Sequence, residues 1–168
     1  RAQVAANKTG ETLLVELCNR YSPNTVHAYM RHVRDNASET MRACIEQLPD
    51  GRHEAVDYLD SGAKIQCAIT VQGAQAHVDF TGTDPQLDGN LKAPKAVVIA
   101  AVLYMFRCMV DKPIPLNAGC LEPIKITIPE GSLLAPAYPA AVVGGNVETS
   151  NRVVDVLGAA LNIVAGSQ

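Results

Sequence analysis

Four short polar segments in this 168-residue chain carry residue types able to do chemistry where predicted strands and helices begin or end. Gly144-Gly145-Asn146 stands ahead of a helical run that opens with Glu148 and Thr149. Paired glycines let a ligand approach the backbone, and a helix N-terminus offers N–H groups and positive potential, so an anion suits the place. A plain capped helix start uses the same residues. Asp79-Phe80-Thr81-Gly82-Thr83-Asp84 leaves a strand, where Asp79, Thr81 and Thr83 either contact a substrate or metal or close a turn. Asp88-Gly89-Asn90-Leu91-Lys92-Ala93-Pro94 opens another helix, with Asn90 and Lys92 beside its start facing a ligand or shaping an Asx turn before Pro94. Asn117-Ala118-Gly119-Cys120 lies in a long loop. A nucleophilic Cys120 needs a base to form thiolate. No spacing ties His27, His32, His53 or His77 to it.

These groups do not assemble into a complete active site by spacing alone. His27 and His32 share a predicted helix five positions apart, about 140° around it, so they do not converge on a metal. His77 alternates away from Val78 and is expected to face solvent. No metal site is assigned. Neither G-x-x-x-x-G-K-[ST] nor G-x-G-x-x-G occurs, and no serine sits in a nucleophile elbow.

The elements that position these segments fall into three blocks. To about Leu48 the period is helical. Ser22-Pro23 reads as an N-cap followed by a first-turn proline. Val26, Met30, Val33, Ala37, Met41, Cys44 and Leu48 then recur at spacings of three and four. Leu13, Leu14, Leu17, Cys18 and Tyr21 form an earlier stripe, so 1–48 is expected to be a helical hairpin. The remainder, 52–168, is expected to be mixed. Strands are predicted at Glu54–Leu59, along Ile65, Cys67, Ile69 and Val71, and along Ala76, Val78 and Phe80, pairing antiparallel. A helix from Pro94 to about Val110 is apolar nearly all round and is expected to be central. Ile124, Ile126 and Ile128 alternate as a strand, and a last helix runs from about Val147 to Val164. The fold class is α+β.

Composition narrows the function. With 48% hydrophobic residues the chain can build a core. Fourteen basic against 17 acidic residues, net charge −3, excludes a basic nucleic-acid footprint. The longest apolar run, Ala96 to Phe106, spans about 16 Å as helix, too short for a bilayer. Five cysteines without a Cys-x-x-Cys indicate a reduced, cytoplasmic compartment. Cys18, Cys44 and Cys67 read as small buried hydrophobes. Arg1 at the start, and Gly166-Ser167-Gln168 directly after an apolar run, suggest a piece of a longer protein.

Five segments, in order, carry a further signal: Arg1-Ala2-Gln3-Val4-Ala5-Ala6-Asn7, Val78-Asp79-Phe80-Thr81-Gly82-Thr83, Gly89-Asn90-Leu91-Lys92-Ala93-Pro94, Pro115-Leu116-Asn117-Ala118-Gly119-Cys120-Leu121 and Val143-Gly144-Gly145-Asn146-Val147-Glu148-Thr149-Ser150. Together they resemble the hydantoinase B / 5-oxoprolinase family over essentially the whole chain. The resemblance implies that 1–168 is an internal segment of a larger hydantoinase B-type domain. It implies ATP-dependent opening of a lactam or hydantoin ring, with ketone carboxylation in relatives. ATP with magnesium would be bound by a partner, a hydantoinase A-type subunit or a fused N-terminal half. Any divalent metal would lie upstream of this segment. An oligomer acting on a small-molecule lactam is expected, with no nucleic acid and no membrane.

The resemblance also raises Asn90, Asn117, Asn146, Glu148 and Thr149 from caps to pocket candidates. Asp79, Asn146 and Glu148 become the catalytic candidates. Asn146, with the N–H groups after Gly145, would contact an oxyanion or phosphate, while Asp79 or Glu148 would serve as base or orient water. Thr81, Thr83, Asn90, Lys92, Asn117, Gly145 and Thr149 become the substrate- or phosphate-binding candidates. The family usually has Asn where this chain has Lys92, and Gln where it has Asn151. The competing expectation is a non-catalytic scaffold segment of such an enzyme, or a segment of a related ketone carboxylase.

Overall fold

The computed structural model describes residues 1–163. Helix α1, Ala2–Tyr21, and helix α2, Pro23–Ile45, are joined by the single residue Ser22. Ser22 caps α2, its Oγ accepting the Thr25 N–H at 3.3 Å, and Pro23 occupies the first turn. The cap and proline therefore sit where local pattern placed them. α1 buries none of its residues. Cys18 is only half-buried, because its helix has little against it. The long α2 stripe is likewise used only in part. Ala37, Met41, Cys44 and Ile45 are buried, while Met30 and Val33 stay exposed. α2 also ends before Leu48, which lies in the following turn.

Strands β1 (Gly51–Tyr58), β2 (Lys64–Gln72) and β3 (Gln75–Asp79) form an antiparallel meander. β4, Ile124–Thr127, joins it beside β3, and it runs parallel. The expected antiparallel set thus becomes a mixed sheet in the order β1-β2-β3-β4. The direction follows from the connection, because a helix and two loops separate β3 from β4 and return the chain to the same end. Alternation sorts the faces. Register places Ala55, Cys67 and Ile69 with Val78 and Ile126 on one face. Arg52, Glu54, His77, Asp79 and Thr127 share the other.

Helix α4, Glu148–Ala160, lies across β1 and β2 on the apolar face, and helix α3, Lys95–Cys108, packs against α4. Arg152 of α4 donates to Asp57 of β1 at 2.9 Å, fixing the crossing. Val98, Val102 and Phe106 of α3 join Val153 and Leu157 of α4 in one core with β2 and β3. α3 is not buried all round, since Ala96, Ala100, Tyr104 and Cys108, four apart, form an exposed stripe. α4 ends at Ala160, and Val164, the expected last helical contact, lies outside the described residues. Among the described residues no helix is long and apolar enough to cross a membrane.

Candidate functional site

The glycine turn before α4 meets the loop before α3. Gly145 N–H donates to the Asn90 carbonyl at 3.1 Å and to the Val142 carbonyl at 3.1 Å. The Thr149 hydroxyl, fully buried, donates to the Leu91 carbonyl. A Cβ on Gly145 would overlap the Lys92 carbonyl, so only glycine allows this approach. The Lys92 ammonium turns back into its own loop, donating to the carbonyls of Leu87, at 2.6 Å, and Gly89. Asn90, Lys92, Gly145 and Thr149 are thus brought into one junction, with Asn146 and Glu148 on its exposed rim.

The geometry places each of these residues. Gly145 N–H is spent within the chain, and the space beside Gly145 is filled by backbone. Lys92 and Thr149, expected to touch substrate, are buried and donate to carbonyls within the junction. The polar side chains left exposed here are Asn90, Asn146 and Glu148. Glu148 stands in the first turn of α4, where the helix dipole favours a carboxylate.

A second cluster forms where β3 ends. Asp79 Oδ1 accepts the Thr81 hydroxyl at 2.6 Å and the Thr81 N–H at 2.9 Å. Partial burial pushes the Asp79 carboxyl upward, but the Thr81 bonds, with His77 and Arg52 nearby, bring it below its usual value. Thr83 is buried, its Oγ1 accepting from Gln66 N–H at 3.1 Å and donating to Gln66 carbonyl at 3.2 Å. The hydroxyl thereby extends the β2 pairing. His77 is half-buried rather than solvent-facing, with Nε2 at 2.8 Å from Thr127 Oγ1. Behind this cluster, burial and then the Asp79 charge push the Cys67 thiol up to about 12.

A backbone bridge connects the two clusters, and no pattern in the sequence announces it. Leu133 N–H donates to the Asp84 carbonyl at 2.9 Å, and the Leu133 carbonyl accepts from Ala93 N–H at 2.9 Å. Asn117 lies elsewhere. Its Oδ1 caps Gly119 N–H at 2.8 Å and its Nδ2 reaches the Val33 carbonyl of α2 at 3.3 Å. Cys120 is buried, 3.8 Å from Arg107 Nη1. Among the described residues no group of three or more His, Cys, Asp or Glu side chains could hold a metal ion.

The chain is thus an α+β segment whose Gly- and Asn-bearing loops interlock around the start of a helix. The chain belongs to the Hydantoinase B/oxoprolinase family, whose model matches residues 1–168. It is 45% identical to "5-oxoprolinase 1" of Arabidopsis thaliana and 44% identical to "5-oxoprolinase" of Saccharomyces cerevisiae, covering 100% of this chain in both cases. It is 40% identical to "5-oxoprolinase" of Dictyostelium discoideum, again over 100% of this chain. The chain spans 14% of the length of each of these 5-oxoprolinases. Among solved structures, an ATP-dependent caprolactamase from Pseudomonas jessenii superposes with TM-score 0.78 at 26% identity, over 95% of this chain and 29% of that one. An acetone carboxylase shares the fold, with TM-score 0.71 at 14% identity over 89% of this chain and 22% of that one.

Proposed function

We propose that the chain is a segment of a larger hydantoinase B-type domain in an ATP-dependent cyclic-amide hydrolase, with 5-oxoproline as the substrate. The observation that carries this reading is the 45% and 44% identity to 5-oxoprolinases over the full chain. ATP with magnesium would bind a hydantoinase A-type part, fused or separate, consistent with a glycine turn already filled by protein. In this segment Asn146 would donate to charge developing on the ring amide oxygen, with Asn90 beside it. Glu148 or Asp79 would orient the attacking water. The protein would act in the cytoplasm, in keeping with its free cysteines.

The test is glutamate and phosphate release by the intact parent protein with its A part, given 5-oxoproline and ATP, with hydantoin in parallel. Glutamate in step with phosphate is expected. Ring opening of hydantoin alone moves the assignment to hydantoinase, and activity on neither substrate overturns the reading.

A second reading, a scaffold and assembly segment, is favoured by α1. It buries no residue yet carries Leu13, Leu17 and Tyr21 along one side at 55%, 45% and 50% exposure. Charged substitutions on that face would break assembly while leaving chemistry in the residual complex.

A further inference from the structure

Lys92 is the one Lys, Arg, Asp or Glu buried among the described residues, at 5% exposure. Burying an ammonium is costly unless it is paired and hydrogen-bonded. None of the ion pairs among the described residues includes it. Its partners are two neutral carbonyls, of Leu87 and Gly89, which converge on Nζ. Two carbonyl dipoles aimed at one point repel each other unless a cation or a pair of donors sits between them. The ammonium therefore fixes the turn that ends at Gly89, where φ is 89°.

The next residues grip the glycine turn. The Asn90 carbonyl accepts from Gly145 N–H, the Leu91 carbonyl accepts from the Thr149 hydroxyl, and the Lys92 carbonyl fills the space beside Gly145. The side chain of Lys92 thus holds the start of a three-carbonyl rail, and its own backbone forms the end. We infer that Lys92 is a positioning residue. Acting through Asn90 and Gly145, it sets where the Asn90 and Asn146 amides stand on the exposed rim. Its role in turnover rests on the ring-opening function proposed above; its role in holding the glycine turn does not.

The experiment uses the intact parent protein with its A part, comparing wild type, Lys92→Met and Lys92→Arg. Met keeps the length and loses the donors, while Arg keeps charge and donors. Two readouts are taken: steady-state turnover of 5-oxoproline with ATP, and amide hydrogen exchange resolved by peptide. Lys92→Met is expected to lower kcat at least about tenfold with KM within about threefold, the pattern of a group that matters in the transition state. Exchange should quicken about tenfold in peptides covering 87–93 and 142–149 and stay unchanged over β1 and β2. Lys92→Arg should restore most of both. Unchanged exchange in those two peptides overturns the inference, as does exchange that quickens throughout the chain without recovery in the Arg variant. A wild type that opens no lactam refutes the proposed function, and the exchange readout then decides the positioning role by itself.

Discussion

Gly145 lies so close to Lys92 that a Cβ on the glycine would overlap the carbonyl oxygen and carbon of the lysine. The obstacle is backbone held by Asn90 and Thr149, so it cannot swing away as a side chain would. Gly145→Ala should force the two loops apart and destabilise by about 1–3 kcal/mol. Gly10→Ala, in the middle of α1 with nothing within 4 Å of the new Cβ, should stabilise by about 1 kcal/mol. Calorimetric melting of the two variants in the parent protein checks the contrast, and equal midpoints would contradict the overlap.

Asn146 is exposed on the rim of the junction, so its truncation leaves no cavity. Asn146→Ala in the intact enzyme should lower turnover at least about tenfold if its amide meets developing charge. The melting midpoint should not move. Unchanged kinetics would remove Asn146 from the reaction and leave it a turn residue.

Asp79 offers a pH test. Burial raises its carboxyl, yet the two Thr81 bonds, His77 and Arg52 hold it below its ordinary value of 3.8. A depressed carboxylate contributes stability that is present above the unfolded value and lost as pH falls through the folded one. The midpoint gap between wild type and Asp79→Asn should therefore be full at neutral pH and close below about pH 4. A gap that persisted undiminished in acid would show that the charge is not what stabilises the turn.

Local pattern was legible because it depends on near neighbours. Ser22-Pro23 marked the start of α2, and alternation marked β2 and β3. Partnership was not legible, because it depends on residues far along the chain. Nothing in Ile124–Thr127 alone specifies a parallel partner, yet β4 pairs with β3. Lys92 read as a ligand contact because it stands beside a helix start. Its ammonium instead turns back onto the Leu87 and Gly89 carbonyls, while its own carbonyl faces Gly145, some fifty positions later. The partner of Thr83 was equally hidden, since the Gln66 backbone that meets its hydroxyl lies on β2. The stripes on α1 and on the first half of α2 announced buried faces that the described residues leave exposed.

Ser22 has φ 72° and ψ 147°, a conformation that glycine adopts freely and serine does not. Such a residue stores about 1–3 kcal/mol. Ser22→Gly relieves that strain while losing only a weak cap, whereas Ser22→Ala keeps the strain and loses the cap as well. The glycine variant should therefore be the more stable by about 1 kcal/mol or more, read from melting midpoints. A glycine variant no more stable than the alanine variant would show that no strain is stored at this joint.

The same joint sets the reach of the N-terminal helix. Twenty residues of α1 form a rod of about 30 Å, attached to α2 through one residue. Pro23 prevents the two helices from merging into one, because it lacks an N–H and crowds the preceding turn. Rotation at Ser22 is therefore magnified along the rod, and a tilt of about 10° carries the far end roughly 5 Å. A backbone adjustment too small to disturb the sheet would re-aim an entire apolar flank, making Ser22 the fulcrum of a lever whose long arm is α1.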